Sequence, residues 1–268
     1  MTKVHPQIFE AEYYSLIHKT ETVHWWSKSM MALMMSMLAQ YLPQSEPLKV
    51  LDVGCGTGFV LDCFKKGYSL SLEPFGVDIS PYAVQYCKDR GLRNVVEASA
   101  SDIPFEEAAF DLCVSLDVIQ HVSPAGADRQ AIKEFARLIR PGGLLFLRTN
   151  SALLHMPQSK HTDEHYRRYL CAELCQMLNA EGFTVERATY LNAAGSLYAF
   201  ARELWGGLFK RPEKMHALGP GLAINCKSKP GLKDKFMHAL MAVEIFAITK
   251  LGCNIPFGHS IAIVAKRS

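Results

Sequence analysis

The chain has 268 residues, 49% hydrophobic and 21% charged, with 29 Lys and Arg against 26 Asp and Glu for a formal net charge of +3. That length and balance exclude a disordered chain and a disulfide-stapled miniprotein, and they suit one large domain. A charge so near neutral gives no global electrostatic reason to hold a nucleic-acid backbone, so no nucleic-acid partner is expected.

Residues 1–46 read as a helical lid of two helices, near Phe9 to His18 and from Trp25 to about Tyr41, where Pro43 and Pro47 end the pattern. The methionines of the second helix (Met30, Met31, Met34, Met35, Met37) read as hydrophobic filler ahead of a substrate wall. Residues 47–191 alternate strands with helices, a rhythm that implies a parallel sheet covered on both faces. The predicted strands are Lys49 to Val53, Phe75 to Asp78, Asn94 to Glu97, Phe110 to Leu116, Gly143 to Arg148 and Thr184 to Leu191, with helices starting near Gly58, Pro81, Ala127 and Tyr166. Residues 192–258 break the rhythm as a helical insertion, with helices expected from Ser196 to Phe209 and from Lys233 to Lys250, and residues 259–267 return as a last strand. A strand that returns after two helices needs the existing sheet to pack on, so the chain reads as a single domain.

The eight cysteines form no C-x-x-C pair and no zinc-type array, and no apolar signal core opens the chain, so a reducing, cytoplasmic setting is expected. The apolar run from Phe236 to Leu251 is short for a bilayer span and carries charge, so no stable membrane insertion is expected.

Chemistry concentrates in Val50-Leu51-Asp52-Val53-Gly54-Cys55-Gly56-Thr57-Gly58, a strand entering a glycine-rich turn and then a helix. Such glycines let backbone approach a ligand, although a turn that merely needs positive φ is the alternative. The spacing departs from a dinucleotide fingerprint, because Phe59 and Leu61 stand where its third glycine would fall. Asp52 in the strand end suits a ligand with an ammonium group and would repel pyrophosphate. Asp78, 24 residues past Gly54, can accept both ribose hydroxyls of a nucleoside, and Ser80 suits the cap of the helix opened by Pro81. Asp102 can accept an adenine amine while a neighbouring backbone N–H meets a ring nitrogen; a plain turn is its alternative.

In this order and spacing, VLDVGCGTG, GVDIS, SDIPF, FDLCVSLDVIQHV and RPGGLLFLRT resemble a class I S-adenosylmethionine-dependent methyltransferase, most like the broad small-molecule, type 11-like group. The resemblance spans about Lys49 to Asn150. It implies a Rossmann-like, seven-stranded, mostly parallel sheet with an antiparallel last strand, and S-adenosyl-L-methionine as cofactor. By position it assigns Asp52, Gly54, Gly56 and Gly58 to the methionine end, Asp78 and Ile79 to the ribose side, and Asp102 and Ile103 to the adenine. Leu116 and Asp117 would border the methyl donor, and Tyr13 and Trp26 would cover the cofactor from the N-terminal helices, with core packing as their alternative. His121 is the best-placed imidazole to deprotonate an acceptor; a helix-start or packing role is the alternative.

The Asn/Asp-Pro-Pro-aromatic run of base-amine methylating relatives is missing at Leu116-Asp117-Val118-Ile119, and Asp117 alone does not make a magnesium site. The expected function is therefore metal-independent methyl transfer to an O, N or C nucleophile of a small molecule, with homodimerisation open. A non-catalytic cofactor-binding module and a different reaction on the same scaffold are the competing readings. His161 and His165 read as a solvated loop and Cys171 and Cys175 as a packed helix face. The Trp205 to Lys235 stretch carries seven basic against two acidic residues, a net +5, and reads as a solvated loop ahead of an anionic-acceptor or membrane-surface site.

Overall fold

A computed structural model describes residues 10–42, 47–67, 72–122, 126–153, 167–197 and 231–268. Seven strands form one sheet: β1 (Leu48–Val53), β2 (Leu72–Asp78), β3 (Asn94–Glu97), β4 (Phe110–Leu116), β5 (Ile139–Asn150), β6 (Phe183–Leu191) and β7 (Ser260–Arg267). Their order is β3-β2-β1-β4-β5-β7-β6, and β7 runs antiparallel to both of its neighbours. The order reverses between β1 and β4, and open α/β sheets bind ligands at the carboxyl ends of their strands beside such a switch point.

Seven helices are described at length: α1 (Ala11–Thr20), α2 (Trp25–Leu38), α3 (Phe59–Gly67), α4 (Pro81–Asp89), α5 (Ala127–Leu138), α6 (Cys171–Ala180) and α7 (Leu232–Thr249). The two-residue period of the strands sorts side chains onto two cores. Val50, Val114, Phe146 and Val264 meet Met30, Met34 and Met37 of α2, Cys87 of α4, and Met241 and Ile248 of α7. Leu51, Val53, Cys113, Leu145 and Ile263 meet α5 and α6. Buried Ala131, Ile132, Phe135 and Leu138 recur at helical spacing on α5, and each large one contributes about 1.5–3 kcal/mol on burial. The methionine run is thus core, and Asp52, two residues from Val50, faces the α2 side.

Beyond shifts of one to three residues at other ends, three boundaries differ from expectation for a physical reason. β2 begins at Leu72 although Pro74 lies within it, because β3 pairs only with Phe75–Asp78 and leaves Pro74 without a neighbour on that side. Strand β5 starts directly where α5 ends, at Ile139 rather than Gly143. The helix expected at Tyr166 starts at Cys171, because residues 167–170 run extended beside β5, with Tyr169 bridged to Ser151 and buried. Its hydroxyl donates to Asp128 Oδ2 at 2.9 Å. Residues 193–197 are helical; the rest of the Ser196 to Phe209 helix, His161, His165, and Lys210, Arg211, Lys214, Lys227 and Lys229 lie outside the described residues. Among the described residues no helix is long and apolar enough to cross a membrane.

Candidate functional site

The site is built where β1 leaves the sheet. Gly54, Gly56 and Gly58 have φ of 76°, 52° and 78°, the left-handed region that any Cβ disfavours, so the turn itself requires all three glycines. The N–H groups of Gly54 and Cys55 donate to Val77 O at 2.7 and 3.0 Å and tie the turn to β2. A Cβ on Gly54 would lie 2.1 Å from Val118 Cγ2, whereas one on Gly56 would meet nothing within 4 Å. Gly54 is a packing glycine, and the room over Gly56 is open space that a ligand could occupy.

Two buried carboxylates flank that turn. Asp78 accepts N–H groups from Gly56 and Ser80, each at 2.9 Å, and the Tyr14 hydroxyl at 3.4 Å. Burial still outweighs these bonds and raises its pKa. Asp52 is fully buried, its Oδ2 has no hydrogen-bond partner, and burial followed by the Asp78 charge pushes its pKa up to about 8. A buried carboxylate with an unsatisfied oxygen is what a ligand's cationic group would complete, so the residues present fit the methionine end of S-adenosylmethionine. Raised from 3.8, Asp52 contributes stability that is full below about pH 4 and lost as pH rises through about 8. A bound cation favours the carboxylate, so cofactor binding at pH 7 should release close to one proton. Calorimetry in two buffers of different ionisation enthalpy checks this; equal binding enthalpies, or unchanged release in Asp52→Asn, would refute it.

The ends of β4 and β5 supply a second group around Asp117. Its φ is 59°, its carboxylate forms a two-pronged ion pair with Arg148, and its N–H donates to Arg148 O at 2.8 Å. The Arg148 guanidinium in turn lies 5.8 Å from the centre of the Trp26 ring. The Asp117 charge acts on His121, His259 and Tyr13. Burial lowers the pKa of His121 and His259, with Arg168 adding to the effect at His259, and raises that of Tyr13 to about 12. Buried Gln120 holds this corner: its Oε1 accepts from Thr149 Oγ1 at 2.9 Å and Asn150 N at 3.0 Å, and its Nε2 lies 3.3 Å from His121 Nε2.

The N-terminal helices are strapped to the same turn. Glu21, just past α1, is buried; it accepts the Thr57 hydroxyl and an Arg90 N–H, and lies 3.3 Å from His18 Nδ1. Arg90 also reaches Asp62 at 3.5 Å. Tyr13 and Tyr14 meet edge to face, 5.3 Å between centres.

Of the expected residues, the structure thus gathers Asp52, the glycines, Asp78, Tyr13, Trp26, Leu116, Asp117 and His121 at one end of the sheet. Ile79 is exposed beside Asp78. Two expectations are corrected. Ile103 N–H donates to Glu134 Oε2 at 3.1 Å, a carboxylate locked by Arg137, so that N–H is already engaged and does not face a ring nitrogen; Asp102 itself is exposed. Ser80 occupies the cap position of α4 without a side-chain cap bond, and Asp78 binds its N–H instead. Gln120, Arg148, Arg168, His259 and Glu21 were not legible as site residues. The sole local signal was a polar Gln-His pair inside an apolar run.

Residues 51–147 match the family described as a methyltransferase domain. The chain is 34% identical over 98 residues to the tRNA (carboxymethyluridine(34)-5-O)-methyltransferase of Arabidopsis thaliana, covering 37% of this chain and 23% of that protein. It is 36% identical over 94 residues to the mouse protein of the same name, covering 35% of this chain and 13% of that protein. The match therefore spans less than a quarter of either relative. A structure of the complex between the Haloferax volcanii Trm112 methyltransferase activator and a methyltransferase shares the fold, with a TM-score of 0.59 at 15% identity over 98% of this chain and 99% of that one. These relatives overturn two expectations, a small-molecule acceptor and the absence of a nucleic-acid partner. Net charge was a poor guide because single RNA nucleotides are read by local contacts and stacking. The missing Asn/Asp-Pro-Pro-aromatic run bears on base amines and says nothing of a carboxylate oxygen. Residues 51–147 thus carry a methyltransferase domain of the S-adenosylmethionine-dependent kind, and the chain around them has the class I seven-stranded fold.

Proposed function

We propose that this chain transfers the methyl group of S-adenosylmethionine to a carboxylate oxygen of a modified uridine in tRNA, as a cytoplasmic enzyme. The observation that carries this reading is the similarity of the cofactor-binding core to relatives named for that reaction. The free thiols among the described residues agree with a reducing setting.

In this reading Asp52 and the Gly54, Gly56 and Gly58 turn hold the methionine end, Asp78 and Ile79 the ribose, and Asp102 the adenine edge. Leu116, Asp117, Tyr13 and Trp26 wall the methyl donor. The cofactor supplies a sulfonium-activated methyl, and the chain's task is placement for in-line attack. A carboxylate is ionised at neutral pH and needs no general base. His121, kept neutral by burial, then serves as a hydrogen-bonding wall beside Asp117, and Arg168 beside His259 offers a cation to the acceptor's negative charge. No metal is invoked.

The test is an RNA hairpin carrying 5-carboxymethyluridine, incubated with methyl-labelled cofactor beside the same hairpin with uridine. Label is expected only in the first, released by mild alkali as an ester requires, with a rate nearly flat from about pH 6 to 8. Absence of label sinks the reading. A rate that rises steeply across that range and collapses in His121→Ala would restore His121 as a base.

A further inference from the structure

The helix α7 uses one face to pack on the domain. Met241 and Ile248 enter the α2 core, Ser29 Oγ lies 3.1 Å from His238 Nδ1, and Glu244 accepts the Ala193 N–H at 3.0 Å. The opposite face carries Leu232, Phe236, Ala239, Val243 and Phe246, and Lys250, just past Thr249 with its N–H on Phe246 O at 2.8 Å, continues the row; the spacings are four, three, four, three and four residues. That spacing makes one continuous stripe. Its four large apolar residues are 55% to 87% exposed, and Leu251 beyond the helix extends the patch. A contiguous apolar stripe of this kind marks an interaction surface.

The pattern also says what covers it. Read from either end, the stripe is the same about position 241. Turning a second copy by 180° sets Phe236 against the second copy's Phe246, Ala239 against its Val243, and Leu232 against the stem of its Lys250. Every apolar residue then finds an apolar partner or a methylene stem, as a two-fold interface requires, where residue i meets j and j meets i. Small Ala239 and exposed Ala242 stand at the middle, where the helices must approach, and the phenylalanines fill the space on either side. The described charged side chains on this face, Lys235 and Lys250, stand at its ends. A parallel pair would instead put Lys250 against Lys250. The geometry points to a homodimer in which α7 of two copies pack antiparallel about a two-fold axis at Met241.

Eighteen residues make a helix about 27 Å long, and two packed along that length bury on the order of 1,000 Å², the low end for a specific interface. An interface at that low end calls for a test across micromolar concentrations.

The full chain is tested by sedimentation from about 1 to 100 μM. The mass should rise from 29.9 kDa towards twice that value. Phe236→Lys and Phe246→Glu should each raise the dissociation constant at least about 10-fold, with unchanged circular dichroism because both side chains lie outside the core. Mixing the two variants in equal amounts should restore the dimer: the new Lys faces the new Glu at one end, and Phe faces Phe at the other. A wild type that stays monomeric throughout overturns the proposal, including the case in which it instead floats with phosphatidylserine vesicles through this stripe. Variants that dimerise normally, or a mixture that stays monomeric, overturn the antiparallel register.

Discussion

Asp78→Ala is expected to weaken cofactor binding by about 5- to 150-fold and to destabilise the ligand-free protein at the same time. The carboxylate is the joint acceptor for Gly56 and Ser80 N–H, each at 2.9 Å, and for the Tyr14 hydroxyl. Removing it leaves two backbone donors without their partner next to a buried tyrosine, at about 1–3 kcal/mol per orphaned group, and takes away the acceptor proposed for the ribose hydroxyls. Gly56 lies in the turn proposed to hold the methionine end, so the loop should loosen at the proposed binding site. Asp78→Asn separates the two contributions, because its amide oxygen still accepts one N–H. Urea unfolding should place the Asn variant between wild type and Ala, while calorimetry should find both weak in cofactor binding. Wild-type affinity in the Ala variant would reassign the ribose contact.

The second large effect is expected at Glu21. Its carboxylate is 5% exposed and neutralises Arg90, whose side chain is 13% exposed, has Asp62 as a second carboxylate at the longer 3.5 Å, and lies 3.0 Å from His18 Nδ1. Breaking a buried pair from one side leaves a charge without its counter-ion, so Glu21→Ala should cost about 3–5 kcal/mol in urea unfolding. Replacing both partners removes that penalty, so Glu21→Ala with Arg90→Met should be more stable than Glu21→Ala alone. Because Glu21 also accepts the hydroxyl of Thr57, in the glycine turn, amide exchange in α1 and around Gly56 should rise together in the single variant. A loss below about 1 kcal/mol, or a double variant no better than the single, would mean the strap carries little energy.

Local chemistry alone determined the parallel core. The strand edges of β3 and β4 follow directly from short β-branched or apolar runs bounded by turn residues. The glycine turn was legible because positive φ at Gly54, Gly56 and Gly58 is a property of those residues and their neighbours. The carboxylates Asp52 and Asp78 were legible for the same reason, since each ends a strand and the sheet topology brings strand ends together. Tertiary structure decided the rest. Arg148 meets Asp117 across 31 residues, Arg90 meets Glu21 across 69, and Glu134 takes the Ile103 N–H across 31. No local pattern encodes such pairs, because either partner alone reads as a solvated charge. Residues 167–170 turned from expected helix to extended chain once Tyr169 found a buried place against Asp128, a contact across 41 residues that outweighs helix propensity. The exposed stripe of α7 shows the same division: its apolar residues and spacing were in the sequence, but only packing on α2 through Met241 and Ile248 decided which face turns inward and which is left for a partner.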